Sequence, residues 1–270
     1  MKYTILLITI AMQLNLLHAQ QVENGTGYWY QGIVTHEGNT AKVISNEPRP
    51  LHQAVESLSE QYGWVIDYED PIYQDAETIE RAEPRWVASH PGIKQRLVAG
   101  RKFESEFPEI SKMGSSLTEE KSILQKVVED FNKSGNPGQF TLVDEGGGRF
   151  AVVGQTKGAA HPILDTAINV DIAQLNGSFA LGAVCEALTS SSGNKVTLAT
   201  YPLNLFVQTT FTTHASNQPA RDILHRLLDT TQRKIAWALL YDIDDTAYYL
   251  NLKGIPKADM KRGHSLDLIH

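Results

Sequence analysis

The feature that most constrains the fold of this chain is an internal repeat of a helix followed by a hairpin. Residues 219–254 predict an amphipathic helix and then two apolar strands around a polar turn, because apolar residues recur first at helical spacing and then in two runs. Residues 122–154 align with 222–254 without a gap, at a spacing of about one hundred residues. The aligned pairs are Ile123 and Ile223, Leu124 and Leu224, Val127 and Leu227, Val128 and Leu228, Asp144 and Asp244, Phe150 and Leu250, Val152 and Leu252, and Gly154 and Gly254. The sequence therefore predicts a tandem duplication.

The part of the chain before each helix–hairpin unit also repeats, at a spacing of about 130 residues. The aligned pairs there are Leu51 and Leu181, Val55 and Cys185, Glu56 and Glu186, Leu58 and Leu188, and Gly63 and Gly193. Each copy is predicted to run strand, helix, strand, strand, helix, strand, strand, with a strand over 205–212 in copy two. This order favours an α+β fold of two tandem small domains, each with two helices packed on one face of a small mixed β-sheet.

The duplication also sets the predicted boundaries. Copy one covers residues 20–155, a linker with glycine, alanine and proline covers 156–165, copy two covers 166–255, and residues 256–270 form a polar tail. Copy one carries about thirty residues that copy two lacks, taken from the difference between the two spacings, and these lie within 72–121.

This extra segment of copy one is the predicted partner-binding region. It contains Trp86, Arg96, Arg101 and Lys102, a large aromatic side chain with a basic surround on an acidic chain. Recognition residues are often carried by loops on a rigid scaffold, and tryptophan is enriched at interface hot spots. The alternative is a longer connection between strands, with a solvated charged face and Trp86 simply packed.

Residues 1–19 are predicted to be a secretory signal peptide. Lys2 supplies the positive start, residues 3–17 are mostly apolar, and Ala19 is a small residue suited to the position before the cut. The alternative is an uncleaved membrane anchor, although the apolar run is short for a span of about 20 residues. No later segment is apolar enough to span a membrane. We therefore expect an exported protein, periplasmic or secreted.

Composition and motifs narrow the function classes further. The net charge of −7 argues against a nucleic-acid partner, which normally requires a basic face. No zinc-binding spacing of histidines is present, and His225 is predicted to lie on the exposed side of its helix, aligned with Gln125. Residues 242–245 contain three aspartates that predict a hairpin turn rather than a calcium loop, because the glycine and glutamate of such a loop are missing. No catalytic, cofactor-binding or metal-binding residue and no cofactor are therefore predicted.

Cys185 is the only cysteine, so the chain cannot form an internal disulfide bond. Copy one has Val55 at the aligned position, which predicts that Cys185 is a small core residue. The alternative is a catalytic nucleophile.

One family resemblance rests on the first helix of copy one. The pattern Leu51-x-x-Ala54-Val55-x-x-Leu58, ending at Gly63 and followed by an extended segment, resembles the short N-terminal (STN) domain shared by secretins and TonB-dependent receptors. The second helix and hairpin are similar to the rest of that domain, so the resemblance covers roughly 40–155 and 166–253. It implies a non-catalytic domain that binds partner proteins in the envelope or stacks into rings. The sequence contains no secretin pore, TonB barrel or plug, so only this domain-level implication carries over.

The sequence thus leads to two functional hypotheses. The first is an exported, non-enzymatic protein-binding or scaffold module of the cell envelope, whose partner is an envelope or secreted protein. The alternative is a secreted hydrolase with a site between the two domains. Convergent ionisable residues in a cleft between the copies would favour the enzyme, and an open strand edge would favour the binder.

Overall fold

The computed structural model describes residues 32–46, 48–81, 96–110, 115–159 and 161–256. The predicted signal peptide, Trp86 and nearly all of the predicted tail lie outside these ranges. Within them the fold is mixed α/β, with five α-helices and thirteen β-strands. We refer to residues 32–154 as the first half and to residues 161–256 as the second half.

The elements of the first half are β1 (Ile33–Glu37), β2 (Thr40–Ser45), α1 (Pro50–Tyr62), β3 (Val65–Glu69), β4 (Ile79–Arg81), β5 (Arg96–Val98), β6 (Phe103–Pro108), α2 (Leu117–Lys133), β7 (Phe140–Gly146) and β8 (Arg149–Gly154). Helix α1 begins with proline at its first position and ends at Gly63, whose φ of 72° is the left-handed conformation that glycine adopts most easily. Helix α2 begins with a capping box between Ser116 and Glu119.

The elements of the second half are β9 (Ala167–Asn176), α3 (Gly177–Ser192), β10 (Lys195–Leu198), α4 (Leu203–Gln208), β11 (Thr210–Pro219), α5 (Ala220–Thr230), β12 (Ile235–Asp242) and β13 (Ala247–Gly254). The prediction of a strand over 205–212 is wrong, because its first part lies in helix α4. The apolar run there is too short for periodicity to separate strand from helix. Setting aside β1, β4, β5 and α4, both halves follow the predicted element order.

Six strands form one continuous mixed sheet in the order β10-β13-β12-β3-β8-β7. Each half contributes three adjacent strands, and β12 pairs in parallel with β3 where the halves meet. The two predicted small sheets are therefore joined into a single layer. Across the sheet, β10, β13 and β12 follow the same order as β3, β8 and β7, but each strand runs opposite to its counterpart. A two-fold rotation about an axis that lies in the sheet perpendicular to the strands would produce this arrangement.

The helices of the two halves consequently cover opposite faces of the sheet. Phe150 and Val152 of β8 pack with α1 and α2, whereas Ala151 and Val153 of the same strand pack in the core that contains α3 and α5. Successive side chains of a strand point to opposite faces, so these two cores lie on the two sides of one sheet.

The remaining strands form small sheets beside this layer. Strands β1, β2 and β6 form one antiparallel sheet, β9 and β11 form a two-stranded ribbon, and β4 pairs with β5. Strand β6 lies inside the predicted extra segment, 72–121, and buries Phe103 and Phe107. In the element order β6 matches β11 of the second half, so it is not one of the residues that the second half lacks.

Several residue-level predictions are confirmed. Leu124 and Leu224 are both 0% exposed, and Cys185 is 4% exposed. Asp242 begins the turn between β12 and β13, where its Oδ1 accepts the N–H groups of Asp244 and Asp245 at 2.9 Å. The predicted linker, 156–165, contains a short 3-10 helix that buries Ile163 and Leu164.

Candidate functional site

The outer edge of β9 is an open strand edge. Among the described residues β9 pairs with β11 on one side and with no strand on the other. The equivalent strand of the first half, β2, pairs with β6 on one side and with β1 on the other. The second half therefore leaves open, within the described part of the chain, the position that β1 fills in the first half.

The backbone groups on this edge can be assigned from the register of the ribbon. The N–H of Ala220 donates to the carbonyl of Thr166 at 3.1 Å across the ladder. Because backbone groups of an antiparallel strand alternate between its two sides, those of Ile168 face β11 and those of Asn169 and Asp171 face outward. The side chains of Asn169 and Asp171 are exposed. The edge thus offers unpaired donors and acceptors to an added strand.

The edges of the six-stranded sheet are covered in part by helix side chains. On β7, the Asn132 amide donates to the carbonyl of Phe140 at 2.8 Å and accepts its N–H at 2.9 Å. On β10, the hydroxyl of Thr189 accepts the N–H of Val196 at 2.9 Å. Such contacts occupy the groups that a further strand would use. Within the described ranges no side chain covers the outer edge of β9 in this way.

A second distinctive region is the junction of the halves, where the ladder between β12 and β3 is short. Only Ala238 with Tyr68 and Leu239 with Glu69 are in register. Two carboxylates extend the contact at its ends: Asp67 Oδ1 accepts the N–H of Trp237 at 2.8 Å, and Asp70 Oδ2 accepts the N–H of Tyr241 at 3.0 Å. These bonds satisfy buried backbone donors that the ladder leaves unpaired.

Each of these buried acids also has a cationic partner. Arg149 donates to Asp67 Oδ2 at 2.7 Å, and Arg49 donates to Asp70 Oδ2 at 2.7 Å. The hydroxyl of Tyr68 donates to Asp70 Oδ1 at 2.9 Å, and burial followed by the charge of Asp70 raises the pKa of that hydroxyl well above its usual value. Each buried acid therefore has a guanidinium group within hydrogen-bond distance.

Arg221 of α5 joins carboxylates from both halves. Its Nη2 lies 2.8 Å from Glu69 Oε2, its Nη1 lies 3.2 Å from Glu145 Oε1, and its Nε lies 2.8 Å from Asp165 Oδ1. Its guanidinium carbon lies 5.2 Å from the centre of the Trp237 ring, a cation–π contact. The side chain is only 8% exposed. The planar fork of arginine suits several carboxylates at once.

His225, one turn further along α5, lies between two of these acids. Its Nε2 is 3.1 Å from Glu145 Oε2 and 3.4 Å from Asp67 Oδ2. Burial lowers the pKa of His225, but the adjacent carboxylates of Asp67 and Glu145 outweigh it and raise the pKa to about 9. Trp237 Nε1 also lies 3.2 Å from Nε2 and donates to it only when that nitrogen carries no proton. Asp67, Glu145 and His225 form a group with the donor atoms of a metal site.

The prediction that His225 lies on the exposed side of its helix is wrong, because its side chain is only 16% exposed. Helix α5 packs on the sheet and also faces Glu145 of the first half, so its buried surface is wider than its apolar stripe. The alignment of the two halves gives one indication of this buried polar face. Arg221 and His225 stand where α2 has Lys121 and Gln125.

A cavity of about 280 Å³ lies on the opposite face of the sheet, between α1 and strands β12 and β13. Its lining is mainly apolar, with polar groups from both halves. The Lys253 ammonium lies 3.2 Å from Glu56 and 2.7 Å from Glu60. The hydroxyl of Ser59 is buried without a hydrogen-bond partner among the described residues. Burial lowers the pKa of His52, which lines the cavity beside Tyr68.

Of the predicted partner-binding residues, the described part of the chain contains Arg96, Arg101 and Lys102. Trp86 lies outside the described residues. Arg96 Nε lies 2.6 Å from Asp244 Oδ1, so this side chain is tied to the turn of the second half. The backbone N–H of Arg101 donates to Asn136 at 2.6 Å, and Lys102 forms an ion pair with Glu104.

Comparisons with known proteins do not assign this chain to a family. No protein-family model, curated protein or solved structure matches it. Within the described residues no helix has the length and apolar character needed to cross a membrane.

Proposed function

We propose that this protein is an exported, non-enzymatic binding module, built from two tandem units that resemble the STN domain, and that it captures an extended segment of an envelope or secreted protein. The observation that carries the proposal is the open outer edge of β9, at the position where the first half has β1. A captured segment adds to this edge and runs antiparallel to β9, as β1 does to β2.

The tandem arrangement is supported by matching elements in the two halves. Helix α2 with β7 and β8, and helix α5 with β12 and β13, are both a helix followed by an antiparallel hairpin. Leu124 and Leu224 occupy equivalent buried positions in these units. In the first half β1 fills the edge of β2, whereas in the second half the equivalent edge of β9 is open. This difference suits a module that binds its partner through the second half.

The test uses selection of peptides by the chain without residues 1–19. A displayed library of extended peptides is captured, and affinities are then measured for the wild type, Asp171→Pro and Asp171→Ala. Proline removes the outward N–H, whereas alanine keeps it and serves as the matched control. We expect Asp171→Pro to weaken binding about tenfold, the effect of one lost hydrogen bond together with poorer strand geometry, and Asp171→Ala to bind like the wild type.

Circular dichroism and thermal melting establish that both variants are folded. A photo-crosslinker at Ala173, an exposed position of β9, provides a measurement that does not depend on proline. Crosslinks to the captured peptide support the proposal. Undiminished binding by a folded Asp171→Pro protein would place the binding surface elsewhere. The same conclusion would follow if the peptide crosslinks only when the photo-crosslinker is placed at Arg101 or Lys102.

The second candidate is a secreted hydrolase with a site between the halves. It is favoured by the cavity, which brings His52 and Glu56 of α1 next to Lys253 of β13. Against it, the Lys253 ammonium is already paired with two carboxylates. No hydrogen bond within the described ranges joins a histidine to a serine, threonine or cysteine, as an activated nucleophile requires. Hydrolysis of ester, glycoside or phosphate substrates by the wild type, lost in His52→Ala, would support the enzyme instead.

A further inference from the structure

The donor atoms of Asp67, Glu145 and His225 have the spacing of a metal coordination shell. The His225 nitrogen is 3.1 Å from Glu145 Oε2 and 3.4 Å from Asp67 Oδ2, and the three ligand atoms lie within 4.8 Å of one another. Bonds of about 2.0–2.2 Å to nitrogen and oxygen at tetrahedral angles separate ligand atoms by about 3.3–3.5 Å. The two distances from His225 Nε2 match this spacing, so His225 needs little movement relative to either carboxylate to share an ion with it.

The oxygens that would bind the ion are held in place by other groups. Arg221 binds Oε1 of Glu145 at 3.2 Å and so directs Oε2 toward His225. The backbone N–H of Trp237 fixes Oδ1 of Asp67, and Arg149 donates to Oδ2 at 2.7 Å. Metal ligands in proteins are typically oriented by such surrounding hydrogen bonds.

One oxygen of Glu145 is buried without a hydrogen-bond partner. The side chain of Glu145 is 4% exposed, and its Oε2 accepts no hydrogen bond from the described residues. A buried polar oxygen without such a partner is costly, and a cation that contacts both carboxylates removes that cost.

We propose that Asp67, Glu145 and His225 bind a divalent first-row transition metal ion, with Zn²⁺ the best match to one imidazole and two carboxylates. Zinc is commonly bound by nitrogen and carboxylate oxygen with four ligands, so three protein ligands leave a fourth position for water or a partner's side chain. Asp67 and Glu145 come from the first half and His225 from the second. The ion would therefore link the halves across their short ladder and stabilise the fold.

The test titrates the chelator-treated chain with Zn²⁺, Mn²⁺ and Ca²⁺ and measures stoichiometry, affinity and the thermal midpoint. We expect one Zn²⁺ per chain, a rise in the thermal midpoint and weaker binding of Ca²⁺, which prefers oxygen ligands. His225→Gln introduces the residue that the first half has at the aligned position, and Glu145→Gln keeps the side-chain shape. Both should weaken Zn²⁺ binding more than about tenfold. His214→Ala is the control, because His214 forms an exposed pair with Asp171 at 3.7 Å.

X-ray absorption of the zinc-loaded wild type gives a result that does not depend on any variant folding. One imidazole with oxygen ligands supports the site, and two or more imidazoles or a sulfur ligand overturns it. Absence of Zn²⁺ binding by the wild type, or affinity retained in folded His225→Gln and Glu145→Gln proteins, also overturns it.

Discussion

The two ribbons beside the central sheet differ in one strand. In the first half β2 lies between β1 and β6, and in the second half the equivalent β9 pairs only with β11 among the described residues. Strand β1 is joined to β2 by a two-residue turn that includes Gly38 with φ of 60°. A strand can thus be accommodated on this kind of edge when it is supplied, which is why the open edge of β9 is the basis of the proposed function.

The second helices of the two halves, α2 and α5, also differ, in the surroundings of their polar residues. Lys121 and Gln125 of α2 are exposed, whereas Arg221 and His225 of α5 face the carboxylates of the junction. The helices share their apolar stripes, so this difference is independent of the core. It arises because α5 packs next to the first half, while the equivalent face of α2 is open to solvent.

The largest expected effect comes from replacing Arg221, whose contacts with the junction carboxylates have no equivalent on α2. Arg221→Met leaves Glu69 and Glu145 without their cation and should reduce the free energy of unfolding by about 3–5 kcal/mol. Lys121→Met removes only an exposed pair with Asp144 and should leave stability unchanged. Chemical denaturation of the two variants measures both values, and equal losses would contradict the assigned roles.

The shared cores should respond alike. Leu124→Ala and Leu224→Ala each create a cavity at a fully buried position and should cost about 3 kcal/mol. The measurement is the urea midpoint together with its slope. A loss confined to one variant would show that the two helix–hairpin units are not energetically equivalent.

The cysteine position should give a smaller effect. Cys185→Ala should cost about 1 kcal/mol through lost packing and leave peptide capture intact. Burial raises the pKa of the Cys185 thiol to about 12, so very little thiolate forms at pH 8. A thiol reagent should therefore label the native chain much more slowly than the urea-unfolded chain. Equal labelling rates, or loss of capture in a folded variant, would revive a chemical role for this residue.

The smallest expected effect concerns a difference between α1 and α3, the first helix of each half. His52 of α1 aligns with Gly182 of α3, and burial, partly opposed by Glu56 and Asp70, lowers the pKa of His52. The unfolded chain then binds the proton more strongly, with a pKa of about 6.5. Stability from this group is fully present above that pH and is lost as the pH falls toward the folded pKa. His52→Gln should flatten the pH dependence of the thermal midpoint in this window, and an unchanged slope would argue against it.

Local patterns predicted much of this fold. Pro50 and Gly63 mark the ends of α1, and the spacing of Leu124 and Leu224 identified both buried helix faces, because these signals depend on near neighbours. The short apolar run at 205–212 was ambiguous between strand and helix. The junction depends on pairing between β3 and β12, which are far apart in the sequence.

The candidate sites were harder to predict than the elements. About 80 residues separate Asp67 from Glu145, and about 80 more separate Glu145 from His225, so no local spacing could reveal this group. The open edge of β9 follows from which strands pair, and a sequence pattern of alternating residues looks the same for a paired and an unpaired edge.

Hydrogen exchange of individual backbone amides, measured with and without a captured peptide, tests the central claim most directly. In the free chain the outward N–H groups of Asn169 and Asp171 should exchange quickly, whereas amides of β2, which has a strand on each side, should be protected. Peptide binding should slow exchange at Asn169 and Asp171 and leave β2 unchanged. Slow exchange at these positions in the free chain, or a bound peptide that leaves them unprotected, would contradict the account.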